Sequence, residues 1–276
     1  MPRARSSGVT LKTRKVEKPW GRDLLPAPFA APPGKRIGEI WFEPPPGLRQ
    51  LLVKYLFTSE KLSVQVHPSD AQTIEAGLGR QGKEECWLVI AADPGAVLGI
   101  GFKRAVSARQ MRCAAVDGQI EALMAWHPVK AGDFFYIPAG TVHAIGAGVS
   151  LIEIQQNSDI TYRIYDYGRP RALHLNDGIA CARGERYQDP RRCHLPERGE
   201  AMLVDGPLFR LSRYDGPISA ETAARFGAGP LLVIPTSGRT AVTGETVNSG
   251  CCAMALSPTE IAPAQSARGL LAQPLT

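Results

Sequence analysis

The chain has 276 residues, of which 44% are hydrophobic and 21% charged, a globular composition and not a disordered one. Its length fits one large or two small domains, and no run of about 18 uncharged apolar residues is present to span a membrane. Much of the formal charge of +6 lies in the first eighteen residues, where Arg3, Arg5, Lys12, Arg14, Lys15 and Lys18 stand against Glu17 alone.

Residues 1–18 therefore read as a disordered basic tail. The segment has no apolar h-region, so it is not a secretory signal. It carries no motif and no aromatic-lined basic stripe, so nucleic acid is not an expected partner. Pro-rich runs follow at Pro26–Pro33 and Pro44–Pro46, with an apolar-aromatic strand predicted between them over Gly38–Phe42. Leu51–Phe57 and Lys61–His67 are the next predicted strands. Ser69 and Asp70 then cap a short helix that Gly77 ends. Lys83–Ala91 and Ala96–Phe102 read as strands, and Ser107–Leu123 as two short helices broken at Asp117-Gly118. Strands are predicted over Phe134–Pro138, Val142–Ile145, Ser150–Gln155 and Ile160–Tyr167. The pattern restarts near residue 200 with Met202–Val204, Phe209–Tyr214, Pro230–Ile234, Thr240–Thr243 and Cys252–Leu256.

Many short strands between Gly- and Pro-rich turns predict a mainly β fold, an antiparallel sandwich or barrel, with two such units in tandem. The expected division is a tail over 1–18, a catalytic domain over 19–195 and a smaller C-terminal β-domain over 196–276. The six cysteines form no C-x-x-C pair, which predicts reduced thiols in a cytoplasmic protein.

Three segments carry the chemistry. In Leu62–Pro68, strand alternation puts Ser63, Gln65 and His67 on one face and Leu62, Val64 and Val66 on the other. In Gly82–Ile90, Lys83, Glu85 and Trp87 share a face, opposite Glu84 and Cys86. In Gly132–Ile145, the turn Pro138-Ala139-Gly140 leads to His143 at the start of a strand. Gln65, His67, Glu85 and His143 together form a nitrogen/oxygen ligand set suited to Zn²⁺ or another divalent first-row ion. His127, His174 and His194 fit no motif and read as structural or exposed.

Leu62–Pro68, Gly82–Trp87, Tyr136–His143 and Glu153–Arg163 strongly resemble type I mannose-6-phosphate isomerases of the cupin superfamily. The likeness extends to Pro19-Trp20-Gly21, Leu52-Val53-Lys54 and Tyr165-Asp166-Tyr167 and covers roughly residues 19–180. A general cupin would carry His-x-His where this chain has Gln65-x-His67. The resemblance implies tandem cupin barrels of the compact bacterial form. It further implies one zinc per chain on Gln65, His67, Glu85 and His143, and a sugar phosphate as the small-molecule partner. The implied reaction interconverts mannose 6-phosphate and fructose 6-phosphate through an enediol.

Carried over by motif, Arg163 would supply fixed positive charge, and Lys83 or Glu153 would be the base, with Asp159 a further candidate. Lys54 and Ser63 would hold the phosphate, and Asp159 would also contact substrate. The alternatives are a sugar-phosphate-binding cupin without turnover, or another metal cupin such as an iron oxygenase.

Overall fold

The structure is a computed structural model and describes residues 9–275. Its first half contains β1 (Thr13–Arg22), β2 (Ile37–Phe42), β3 (Leu51–Phe57), β4 (Val64–Val66), α1 (Asp70–Glu75), β5 (Glu85–Ala92) and β6 (Val97–Phe102). It continues through α2 (Ala108–Val116), α3 (Ile120–Leu123), β7 (Met124–Pro128), β8 (Asp133–Ile137), β9 (His143–Ile145), β10 (Val149–Gln156), β11 (Tyr162–Tyr165), α4 (Leu175–Cys181) and β12 (Cys193–His194). These strands make a seven-stranded sheet, β1-β2-β3-β10-β5-β8-β12, and a five-stranded sheet, β11-β4-β9-β6-β7.

Helix boundaries follow local chemistry. Ser69 and Gln72 form a reciprocal capping box at the start of α1, and Ser107 and Gln110 do the same for α2. Gly118, at φ +79°, separates α2 from α3.

The second half contains β13 (Ala201–Asp205), β14 (Phe209–Asp215), α5 (Ala220–Phe226), β15 (Leu231–Ser237) and β16 (Arg239–Val242). After these come β17 (Glu245–Asn248), β18 (Ala253–Ala255), β19 (Ile261–Pro263) and β20 (Arg268–Pro274). They form a five-stranded sheet, β13-β14-β20-β15-β18, and a three-stranded one, β17-β16-β19.

The four sheets stack in layers. Helices α2, α3 and α4 cover the outer face of the β4-containing sheet, with Met111, Ile120 and Ile179 packed against Val64 and Val66. Trp87, Val89, Leu98, Ile100, Phe135 and Leu151 fill part of the space between the first two sheets. The outer face of the seven-stranded sheet (Val53, Tyr55, Ile152, Ile154) shares a core with Phe209, Leu211, Leu232 and Leu270 of the second half. Strands β3 and β10, covered on both faces, are buried along their whole length. Any polar side chain in them must therefore be partnered or face a cavity. No helix among the described residues is long and apolar enough to cross a membrane.

The expected tail needs correction. Residues 1–8, with Arg3 and Arg5, lie outside the described residues, whereas Thr13–Lys18 begin β1 and pair with β2. The basic residues there are tied down. Lys15 Nζ donates to the Ala30 carbonyl at 2.7 Å, Lys18 pairs with Glu39 at 3.3 Å, and the Arg14 guanidinium lies 4.5 Å from the centre of the Trp41 ring. Charge density alone suggested disorder, but β2 supplies both a hydrogen-bonding edge and an acid. Helices α4 and α5 and strands β7, β17, β19 and β20 also go beyond the sequence reading.

Candidate metal centre and its cavity

The centre is assembled by both sheets of the first half. Strands β4 and β9 are antiparallel neighbours, and their register sets Gln65 directly opposite His143. The turn before His143 is closed by Gly140, whose N–H donates to the His67 carbonyl at 2.8 Å. Gly140 has φ +79°, and a Cβ there would come within 3.0 Å of the Cys181 carbonyl oxygen, so glycine suits this turn. Glu85 begins β5 on the facing sheet.

The ligand atoms of His67, Glu85 and His143 all lie within 4.8 Å of one another, and all three residues are buried. His67 Nε2 is 3.6 Å from Glu85 Oε2, and His143 Nε2 is 3.5 Å from Glu85 Oε1. The Gln65 amide nitrogen donates to His143 Nε2 at 3.2 Å, bringing the fourth expected ligand to the same point.

The surrounding groups orient these donors. His67 Nδ1 donates to the Ile160 carbonyl and His143 Nδ1 to the Thr141 carbonyl, both at 2.9 Å, so each ring turns its Nε2 lone pair inward. Burial, then the Lys83 charge, lowers the His67 pKa well below the ordinary histidine value. Burial also lowers that of His143 against the opposing pull of Glu85. Both rings are thus held neutral, as metal ligation requires. Burial, the largest influence, would raise the Glu85 carboxyl, yet Lys83, His143 and Lys54 together keep the group below its usual range. Lys83 Nζ donates to Glu85 Oε2 at 2.5 Å and to His67 Nε2 at 2.9 Å.

Glu85 Oε1 has no hydrogen-bond partner although it is fully buried. A buried carboxylate oxygen without a donor is costly. Beside two inward-facing imidazole lone pairs, it marks a position suited to a cation. Nitrogen and oxygen donors with no thiolate fit a divalent first-row ion.

A cavity of about 260 Å³ opens onto this cluster, lined among others by Ser63, Gln65, Lys83, Glu153, Asp159 and Arg163. Cross-strand register explains its floor. Trp41 sits opposite Lys54, Lys54 opposite Glu153, and Glu153 opposite Trp87, in one row across four strands. Lys54 Nζ donates to Glu153 at 3.1 Å and to Gln155 at 2.5 Å, and lies 4.6 Å from the Trp41 ring centre. Trp87 Nε1 donates to the other Glu153 oxygen at 3.1 Å.

The buried partner of Glu153 is thus Lys54 and not Arg163. Lys54, expected at the phosphate, is bound within this row to Glu153 and Gln155. Arg163 donates from Nη1 to the Ala172 carbonyl at 3.0 Å, and its buried Nε is unpartnered. Ser63 Oγ donates to Gln65 Oε1 at 3.3 Å, and Asp159 stands exposed at the rim. His127, His174 and His194 lie elsewhere, bonded to the Ile100 carbonyl, the Arg163 N–H and Asp133.

Sequence reasoning missed Lys18, Glu39, Trp41 and Arg171, which also line the cavity. The alternation of Glu39 and Trp41 with buried Ile40 and Phe42 was the available signal.

No protein-family model matches the chain. A mannose-6-phosphate isomerase from Streptococcus mutans is 40% identical over 201 residues, covering 70% of this chain and 62% of that protein. The chain is homologous to the mannose-6-phosphate isomerases. A Bacillus subtilis mannose-6-phosphate isomerase is 43% identical over 135 residues, 47% of this chain and 42% of the relative. The matched region therefore spans less than two thirds of either relative.

Among solved structures, a Bacillus subtilis mannose 6-phosphate isomerase superposes with a TM-score of 0.81 at 24% identity, over 96% of this chain and 98% of that one. A zinc-bound mannose 6-phosphate isomerase does so with a TM-score of 0.72 at 13% identity, over 97% and 99%. These likenesses establish the fold, and the mainly β, cupin-type architecture is as expected.

Proposed function

We propose that the chain is a zinc-dependent isomerase interconverting D-mannose 6-phosphate and D-fructose 6-phosphate, with residues 19–195 carrying the site and 196–276 bracing it. The observation that carries this reading is the convergence of Gln65, His67, Glu85 and His143 where a cavity presents Lys83, Glu153 and Arg163. Those four residues would hold the zinc, as the unpartnered Glu85 oxygen and the paired lone pairs favour. The homologues' shared activity supplies the substrate.

The reaction moves a proton between adjacent carbons. A base removes it from C2 of mannose 6-phosphate as O1 gains a proton, an enediol forms, and a proton is delivered to C1 as O2 loses its own, leaving the carbonyl at C2. The bound ion supplies Lewis-acid stabilisation of charge developing on the substrate oxygens.

Glu153 is the better-placed base. Each of its oxygens accepts one hydrogen bond and keeps a lone pair for the cavity. Lys83 instead is held by Glu85, to which it donates at 2.5 Å. Lys54 fixes Glu153 from behind. Arg163, always protonated, adds fixed positive charge beside the developing oxyanion. Ser63 contacts substrate hydroxyl or phosphoryl oxygens, and Asp159 accepts from substrate hydroxyls. The reading also places the chain in the cytoplasm, which suits its six free cysteines.

The test is a coupled assay for fructose 6-phosphate. Turnover should be lost on chelation and restored by zinc. Absence of product from zinc-loaded protein would reject the isomerase in favour of a binding cupin. Oxygen consumption with iron would favour an oxygenase.

A further inference from the structure

We infer that Arg171, clamped by Asp166, is the anchor for the phosphoryl group of the substrate, at the end of the cavity remote from the metal cluster. The ligand's identity as a sugar phosphate rests on the isomerase reading above, while the place of the anchor rests on geometry.

The ligand-bearing face of β4 runs from His67 through Gln65 to Ser63, in steps of roughly 6.6 Å at about 3.3 Å per residue. Strand β11 is antiparallel to it, with Arg163 opposite Gln65 and Tyr165 opposite Val64. The loop after β11, which carries Asp166 and Arg171, therefore emerges at the Ser63 end. A hexose 6-phosphate reacting at C1 and C2 has its phosphoryl group at the far end of a six-carbon chain. Its dianion needs a cation at that far end.

Of the other cations, Arg163 stands opposite Gln65, beside the metal cluster, and the rest are ion-paired. Lys83 is bound to Glu85, Lys18 to Glu39 at 3.3 Å, and Lys54 to Glu153 and Gln155. Arg171 lines the cavity beside Arg163.

Asp166 fixes the orientation of Arg171. Its buried carboxylate accepts from Arg171 Nε at 2.6 Å and Nη2 at 2.7 Å. That bidentate grip takes one edge of the guanidinium and leaves the Nη1 edge for a ligand. Asp166 also accepts from Arg169 Nη1 at 3.1 Å, while Arg169 Nη2 donates to Glu60 at 3.0 Å, so Arg169 is satisfied by its own second acid. Tyr167, between them, has φ +55°, a left-handed conformation uncommon for an aromatic residue. Such strain persists where surrounding bonds over-determine the backbone, as the double clamp on Asp166 does here.

The experiment compares wild type with Arg171→Met, Arg171→Lys and Asp166→Asn. It reads KM and kcat for mannose 6-phosphate, affinity for inorganic phosphate by calorimetry, and zinc content. Arg171→Met should raise KM and weaken phosphate binding about 10- to 100-fold, the range for hydrogen bonds to a charged group, with zinc retained and kcat much less affected. Arg171→Lys should fall between the two. Asp166→Asn should shift KM in the same direction by less, as a positioning residue.

Wild-type KM and phosphate affinity in Arg171→Met would overturn the anchor. If that variant does not fold, phosphate titration of Arg171→Lys decides: unchanged affinity rejects the anchor and weakened affinity supports it. A wild-type chain that binds phosphate through Arg171 yet does not isomerise the sugar phosphate would sink the isomerase reading and leave the anchor standing.

Discussion

Arg163 faces the cavity with a guanidinium that no carboxylate pairs. Its Nε is buried without a partner, and burial together with Arg171 lowers its pKa from the ordinary guanidinium value while leaving it charged. Arg163→Ala should therefore keep its zinc and its melting temperature, while kcat falls about 10²- to 10³-fold, as for loss of one oxyanion-stabilising donor. Steady-state kinetics with metal analysis on one preparation checks this. An unfolded protein, or one running at the wild-type rate, contradicts the role.

At this scale the sequence was legible for the converging side chains, because alternation on a strand and a Pro-x-Gly turn bring Gln65, His67 and His143 to one point. It was less legible for Lys54. Its spacing from Gln65 says nothing of Glu153, which lies ninety-nine residues away and meets it only through sheet register.

At the scale of elements, the row Trp41–Lys54–Glu153–Trp87 binds four strands across the floor of the cavity. Its central ion pair is nearly inaccessible, with side-chain exposures of 9% and 5%. Removing one member leaves the other charge buried and uncompensated, a loss of about 3–5 kcal/mol. Lys54→Ala should destabilise by that order, and Lys54→Met/Glu153→Leu should recover much of it. Denaturant titrations of both single variants and the double variant measure the coupling. Additive losses would show that the row does not act as a unit.

Strands with clear apolar alternation or aromatic content, such as β2, β3 and β5, were readable. Strand β20 was not, although it is central, between β14 and β15. Gly269 and Pro274 weaken its strand signal. Gly269 is needed because a Cβ there would come within 2.3 Å of the Tyr214 hydroxyl, a close approach invisible in the sequence.

At the scale of the molecule, the two halves share one core. Tyr55 and Ile154 pack with Leu211 and Leu270, so the second half covers an apolar face that the seven-stranded sheet would otherwise expose. Tandem β units were inferable from strand spacing, whereas this shared face required knowing which side of β3 and β10 turns outward.

Burial across the layers also predicts alkaline behaviour. It raises Cys181 from 9.0 to about 12, and raises Tyr214 from 10.0 to about 12 despite its bond to Thr240. Between those values the folded chain binds more protons than the unfolded one. Their contribution is therefore fully present below pH 9 and is lost as pH rises toward 12. Melting temperature should decline through that window, less steeply in Tyr214→Phe. Identical slopes would contradict the assignment.

Two facing sheets brought together by the whole fold place four side chains around one point, and metal analysis tests that directly. Purified wild-type protein dialysed against zinc should hold one ion per chain. His143→Ala and Glu85→Ala should lose that ion and isomerase activity together while remaining folded. A metal-free His143→Ala protein turning over at the wild-type rate would contradict the account.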